Sequence, residues 1–503
     1  MNSEITTDPW SRPRWAWTAG ALIVAIVFCV YLAVLSNGIV MDATDWAMYV
    51  MHARNILHGR AYADTPYVFQ PEANFQGPRS YPSGFSLLLV PLYAMFGMSI
   101  KAFKIAVDAE LALSLAPIYV FCRRYVSTWS ALCIIVATAF GWEYMRVQNE
   151  LGSDAQYQLL SFAAIVLLLW VYDRGKDNAQ GWFWGALCGA IAAGAYLSRP
   201  IGLALVVAAA IADVLRRRRI SIFLIAFLLS IAAFVLINNS LFHKDSSYND
   251  EFTLSLRLIA SHAVDYFIGL SEVFTNPVSK GFRHLAWAPF VLLAATGVWT
   301  KIRRTGLTFV ELYCAVLLAV LCVYWLSNTR YLLPVLPIFL CYAALGLGAL
   351  IERLPAQFRL VVWLTAAAAL LVAPAFNLVR IQSFHYDSLV ETPDFRELCE
   401  QLRAKTGTHD YVMFWNPRVL ALYTDRPASA YPKVPQEDLQ HYVDRIQPNY
   451  IVIDRQWDED RQYLSPMMDA LPGKYVSVFE NERFKIEQVV NLAPRDSAFG
   501  SHP

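Results

Sequence analysis

The residues with the clearest chemical potential follow the first apolar run. They read Met41-Asp-Ala-Thr-Asp45-Trp-Ala-Met-Tyr49-Val-Met-His-Ala-Arg54-Asn55. Asp45 and Tyr49 are four apart and share a face if this stretch is helical, with Arg54 and Asn55 beyond them. A carboxylate at a membrane boundary is placed to act as a general base. The same aspartate would also serve as a solvated cap on a surface helix. Asp42, three residues earlier, could share the role. Downstream, Arg79-Ser80-Tyr81-Pro82-Ser83-Gly84-Phe85 reads as a turn that enters an apolar helix. Glu150 and Asp154 then fall between two apolar runs, where carboxylates are costly unless paired or functional. Asp154 is also placed to cap the helix that follows. Arg199, in Ser198-Arg199-Pro200, and Arg330, in Asn328-Thr-Arg330-Tyr331, stand at the ends of later runs. Arginine suits two-point contact with a phosphate, but arginines at helix ends also snorkel to lipid headgroups.

The elements that must position these residues are membrane helices. The chain has 503 residues, 57% of them hydrophobic and 16% charged, against roughly a quarter charged in an average soluble domain. Its net charge of +1 gives no electrostatic case for nucleic acid. Apolar runs long enough to span are expected near 15–36, 102–121, 129–146, 157–172, 182–197, 201–215, 220–238, 285–300, 307–326, 332–351 and 359–376, about eleven in all. The first is read as an uncleaved anchor. Basic residues fall on alternate connections: Arg12 and Arg14, Arg123-Arg124, Arg174 with Lys176, Arg216 to Arg219, Lys301 with Arg303-Arg304, and Arg353 with Arg359. The positive-inside rule places these connections and the N-terminus in the cytoplasm. The outward loops are then 37–101, 147–156 and 239–284, together with the tail. Ser83 to Gly97 is apolar too, but counting it as a span would invert every later basic loop. It is read as re-entrant or juxtamembrane, with Pro82, Gly84 and Pro91 making a broken helix plausible.

The C-terminal segment, 377–503, is expected to be a small extracytoplasmic α/β domain beside a transmembrane domain of 1–376. Asp394 to Lys405 and Gln436 to Ile446 have helical patterns. Strand-like runs occupy 411–415, 450–454, 475–479 and 484–490. Seven of the 8 cysteines lie in or beside apolar segments, and Cys399 alone belongs to the tail. An intradomain disulfide is therefore excluded there, and no Cys/His cluster has zinc spacing.

Taken in order, the set Asp45, Tyr49, Ala53 and Arg54; Tyr81-Pro82-Ser83-Gly84; Ser153-Asp154; Arg199-Pro200; and Arg330-Tyr331-x-x-Pro334-x-x-Pro337 resembles the GT-C glycosyltransferases. Within them it is most similar to the protein mannosyltransferase and aminoarabinose transferase-like group (glycosyltransferase family 39-like). The resemblance covers about 15 to 490. It implies a multi-pass protein of a bacterial-type inner membrane, with an extracytoplasmic C-terminal domain. Its activity would be transfer, with inversion, of a hexose or pentose from a polyprenyl-phosphate donor to a lipid, glycan or protein acceptor. By position, Asp45 would be the first-loop catalytic aspartate and Asp154 the second acidic residue. Arg330 would bind the donor phosphate, with Arg199 and Arg79 behind it. Asp42, Tyr49, Arg54, Tyr81, Glu150 and Tyr331 would support them. The family often has Asp-Glu where Trp46 follows Asp45 here. The resemblance fixes no cofactor, since some relatives use a divalent metal and others do not; Asp42, Asp45, Glu150 and Asp154 could form an oxygen-ligand site for one. A transporter or flippase of lipid-linked sugars, or a non-catalytic membrane scaffold, remains an alternative reading.

Overall fold

The computed structural model describes residues 14–35, 45–74, 76–242, 255–275, 280–324, 326–380 and 388–490. Asp42 and parts of the 37–101 and 239–284 loops lie outside them. The helical part contains α1 (Arg14–Ala33), α2 (Asp45–Leu57), α3 (Ser83–Phe96), α4 (Ile100–Arg123), α5 (Thr128–Ala139), α6 (Trp142–Asn149), α7 (Asp154–Asp173), α8 (Lys176–Ala179), α9 (Gly181–Ser198), α10 (Leu203–Arg217), α11 (Ile222–Phe242), α12 (Leu256–Gly269), α13 (Lys280–Thr305), α14 (Phe309–Val323), α15 (Val335–Ile351) and α16 (Ala356–Val379).

Every apolar segment expected to span overlaps a helix, except that 129–146 is divided between α5 and α6. Six described helices are long and apolar enough to cross a bilayer: α1, α4, α7, α11, α13 and α16, with α5 and α6 adding one more if counted as a single bent span. Helices α3, α14 and α15 are apolar but shorter. Large side chains on the spans face outward, among them Leu229 on α11 (64% exposed) and Leu360 on α16 (64% exposed). Water would not tolerate such surfaces, whereas lipid does. The interior is closed by small residues. A Cβ added at Gly297 would lie 1.9 Å from the Tyr342 carbonyl oxygen, and one at Gly346 would lie 1.9 Å from that of Leu293. Helices α13 and α15 therefore meet backbone to backbone.

Two details differ from expectation. Helix α3 is unbroken: Pro82 precedes it in extended conformation, Pro91 is carried inside it, and Gly97 ends it at φ 60°. The break lies instead within the apolar run 129–146, which bends by 48° between α5 and α6. There Phe140 ends α5, and Gly141 restarts the chain from an extended conformation. The basic ends of the helices are joined to one another, with Arg124 bonding Asp173, Arg217 bonding Asp177, and Lys301 bonding Glu311 at 2.7 Å.

The tail folds as α17 (Pro393–Lys405), β1 (Val412–Met413), α18 (Pro417–Thr424), β2 (Ala428–Ser429), α19 (Gln436–Ile446), β3 (Tyr450–Asp454), α20 (Ser465–Asp469), β4 (Tyr475–Glu480) and β5 (Phe484–Val489). The sheet order is β2-β1-β3-β5-β4, parallel through β2, β1 and β3 and antiparallel through β5 and β4. Alternation along β3 explains why all five of its residues are buried. Tyr450 and Val452 join a core with Phe395 and Leu398 of α17, while Ile451 and Ile453 face Leu439 and Val443 of α19. The first of these cores runs without interruption into the membrane helices.

The loop after α2 adds to the sheet. Ala428 donates its N–H to the Pro66 carbonyl at 2.9 Å, and Val68 donates to that of Ala428 at 2.8 Å. The edge strand β2 is thereby covered, and the loop is held where it can shape a site.

Candidate active site

Asp45 opens α2, where a carboxylate is favoured by the helix dipole. Its Oδ1 accepts two hydrogen bonds, one from the Tyr81 hydroxyl at 2.8 Å and one from Arg418 Nη1 at 2.9 Å. Among the described residues no hydrogen bond reaches Oδ2, and the side chain is 40% exposed while Arg418 is 8% exposed. One oxygen of this carboxylate is thus anchored, and among the described residues the other has no hydrogen-bond partner. Burial pushes the Asp45 pKa upward, but the charges of Arg418, Arg330 and Arg199 and the Tyr81 hydrogen bond outweigh it. The group is held below its ordinary value.

Tyr49, one turn along α2, carries the link to the second acidic stretch. Its hydroxyl lies 3.3 Å from Ser153 Oγ, and its ring meets Tyr81 and Phe85 edge-on at 5.4 and 5.1 Å. Ser153 occupies the N-cap position of α7 without a side-chain capping bond, and Asp154, the first residue of the helix, turns to another partner. That partner is Arg199, which forms an ion pair with it.

The guanidinium of Arg199 lies 5.1 Å from the Tyr331 ring centre, and that of Arg330 lies 5.4 Å from it. Among the described residues no carboxylate lies within ion-pair distance of Arg330, and its Nε is buried without a hydrogen-bond partner. The short helix that carries it, Thr329–Leu332, is pinned by α6. Thr329 donates to Glu143, and Arg146 bridges Glu143 at 2.7 Å and the Asn328 amide oxygen at 3.4 Å. Glu150 stands 4.0 Å from the other side of Arg146.

Asp45, Asp154, Arg199, Arg330, Tyr49, Tyr81 and Tyr331 therefore converge, and Glu150 borders them through Arg146. Arg54 is directed elsewhere, pairing with Asp425 of the tail at 2.8 Å. Arg79 is exposed on the turn Pro78–Ser80. Among the described residues no three His, Cys, Asp or Glu side chains group together, and Asp45 and Asp154 each face an arginine.

Sequence reasoning missed Arg418, which comes from the C-terminal domain, and the supports Glu143 and Arg146. Glu143, three residues before Arg146, gives no distinctive pattern by itself. Asn416-Pro417-Arg418 reads only as a helix start with proline at its first position.

The site lies at the ends of α7, α9 and α14 opposite the basic ends joined above. Gly84 shows how closely its walls approach, since a Cβ there would lie 2.7 Å from the Leu197 backbone, two residues before Arg199.

Comparisons with known proteins agree with this architecture. Residues 38–464 match the family described as "Predicted membrane protein (DUF2079)". No protein of curated function matches the chain. Among solved structures, ArnT from Cupriavidus metallidurans bound to undecaprenyl phosphate is similar over 96% of this chain and 100% of its own, at 13% identity and a TM-score of 0.61. The oligosaccharyltransferase AglB from Archaeoglobus fulgidus, in complex with an inhibitory peptide and a dolichol-phosphate, is similar over 92% of this chain and 72% of its own, at 12% identity and a TM-score of 0.59. The arabinofuranosyltransferase AftD from Mycobacteria is similar over 96% of this chain and 42% of its own, at 12% identity and a TM-score of 0.51. At such identities the likeness is one of fold. The chain belongs to the DUF2079 family of predicted membrane proteins, and its fold is that of the GT-C glycosyltransferases.

Proposed function

We propose that this protein is an integral-membrane glycosyltransferase that moves a sugar from a polyprenyl-phosphate carrier to an acceptor hydroxyl or amide. The observation that carries the reading is the division of labour within Asp45. Oδ1 is fixed by Tyr81 and Arg418, Oδ2 has no hydrogen-bond partner among the described residues, and the carboxylate feels the charges of Arg330 and Arg199, the two arginines that flank Tyr331.

In the reaction, the acceptor oxygen (or nitrogen) bonds to the anomeric carbon from the face opposite the phosphate. Its proton passes to Oδ2 of Asp45. The bond between the anomeric carbon and the phosphate oxygen breaks, and its electron pair leaves with polyprenyl phosphate. A single displacement of this kind inverts the anomeric centre. The leaving group becomes a monoester with an added charge, which Arg330 and Arg199 are placed to stabilise. A carboxylate held below its ordinary pKa is a weak base alone. Binding a phosphodiester anion beside Arg330 and Arg199 raises that pKa, because an anion nearby opposes the effect of the guanidinium groups. Donor binding thus prepares the base.

By the positive-inside rule the basic helix ends are read as cytoplasmic, so the opposite end of the bundle, with Asp45, is read as facing the non-cytoplasmic side. The membrane is read as a bacterial-type inner membrane, with residues 1–376 as its catalytic domain and 377–503 as an extracytoplasmic domain. The purified full-length protein, given a labelled polyprenyl-phosphate sugar, is expected to release free polyprenyl phosphate. Movement of the intact donor across a vesicle bilayer without release would identify a flippase instead.

A further inference from the structure

We infer that Arg418, supplied by the C-terminal domain, is a positioning residue for Asp45, so that the tail and not the membrane helices alone completes the reaction centre. The inference rests on the transferase reading for its consequence, but its geometry stands apart from it.

Helices α2 and α18 pack side by side and exchange charges at both ends. Arg418 meets Asp45 at the start of each helix, and Asp425 meets Arg54 at the end. The paired residues are nine apart on α2 and seven apart on α18. At 1.5 Å of rise per residue these are about 13 and about 10 Å, close enough for parallel helices to satisfy both pairs. Reversing α18 would set like charges together, so the docked register is specified by charge.

The guanidinium is itself held from three sides. It donates to the Gln76 carbonyl at 3.1 Å and lies 5.2 and 5.4 Å from the ring centres of Tyr67 and Tyr81. Tyr67 is in turn bridged to Ala428 of the tail sheet. Arg418 is therefore rigid where it touches Asp45. With the Tyr81 hydroxyl it takes both accepting directions of Oδ1, which leaves Oδ2 as the oxygen with no hydrogen-bond partner among the described residues.

The groups facing Asp45 come from several elements: Arg418 on α18, Tyr81 after the Pro78–Ser80 turn, Arg330 on the Thr329–Leu332 turn, Arg199 after α9, and Tyr49 on α2 itself. Of the arginines, Arg418 acts on Asp45 most strongly. Removing it leaves burial opposed by the remaining two and by Tyr81.

The test titrates Asp45 in the full-length chain by infrared difference spectroscopy, its carboxylate band assigned by its loss in Asp45→Asn. Turnover of a labelled polyprenyl-phosphate sugar is followed across the same pH range. In the wild type the Asp45 midpoint lies below the ordinary carboxylate range. Arg418→Gln is expected to raise it by about one pH unit or more, to move the acid limb of kcat upward by the same amount, and to lower kcat with donor KM unchanged. Arg418→Lys keeps the charge and is expected to raise the midpoint less. Glu72→Gln, which cuts a surface pair between the loop and Arg445 of α19, is expected to leave the midpoint in place. An active protein whose midpoint and acid limb are unmoved by Arg418→Gln overturns the positioning role and leaves the transferase reading standing. A wild type that consumes no donor, but whose midpoint is shifted by Arg418→Gln, does the reverse. If Arg418→Gln fails to fold, Arg418→Lys decides: the shorter side chain cannot reach Asp45 and Gln76 together, so reduced kcat supports the role and wild-type kcat overturns it.

Discussion

Arg418 and Asp45 stand 373 positions apart in the chain and share a 2.9 Å ion pair. A partly exposed carboxylate at the start of α2 is thus held by a side chain from the C-terminal α/β segment.

The first consequence concerns the base. Asp45→Asn keeps the size and one accepting oxygen but cannot take a proton. Turnover is expected to fall by about 10²- to 10⁴-fold, the usual contribution of a positioned general base. Expression and detergent-extracted monodispersity should match the wild type, because Asp45 is partly exposed and the Arg54–Asp425 pair still docks α18.

The second concerns the phosphate. Arg330→Ala removes a cation with no carboxylate partner among the described residues. Losing a charge-assisted hydrogen bond costs about 1.5–3 kcal/mol, so kcat/KM for the donor should drop about ten- to a hundredfold. Steady-state kinetics with varied donor check this, and Arg330→Lys should recover only part of the loss because it lacks the planar fork.

Packing next to the site makes a third prediction. Gly84 touches the Leu197 and Ser198 backbone, so Gly84→Ala must push α3 from α9 and shift Arg199 away from Asp154. Overpacking of this kind costs about 1–3 kcal/mol. Thermal unfolding should show a lowered midpoint, and turnover should fall further than that loss of stability explains.

The fourth concerns pH. Asp460 in the tail is pushed up to about 7, first by burial and then by the Asp454 and Glu459 charges, against hydrogen bonds from Tyr431 and the Asp454 N–H. Its folded pKa is above its unfolded value of 3.8. The stability it contributes is therefore complete at low pH and lost as pH rises toward 7, after which it stays level. Asp460→Asn should flatten that slope when stability is followed by denaturant unfolding between pH 4 and pH 8.

Much of this was legible in the sequence, and the reasons are local. The run at 450–454 is β-branched and apolar up to Asp454, that at 484–487 alternates apolar with charged residues, and α17 and α19 carry amphipathic patterns, so each announces itself within one element. The apolar runs marked the helices because lipid demands uninterrupted hydrophobicity. Asp45, Asp154, Arg199 and Arg330 stood out because charges beside such runs are costly. The bend at Gly141 did not stand out, since a single glycine followed by Glu143 and Arg146 reads equally well as the polar end of one continuous span. Strand β2 is two residues long and exists through its pairing with β1 and the loop after α2. Arg418 is one polar residue on an ordinary surface-helix pattern, and its role arises from docking. The partner chosen by Arg54 follows from the same tertiary contact.

The most direct test of sugar transfer is release of free polyprenyl phosphate from a labelled polyprenyl-phosphate sugar by purified wild-type protein, run beside Asp45→Asn. Release by the wild type and its near-complete loss in Asp45→Asn is the expected result. Equal release by both proteins, or none by the wild type across a panel of hexose and pentose donors, would contradict it.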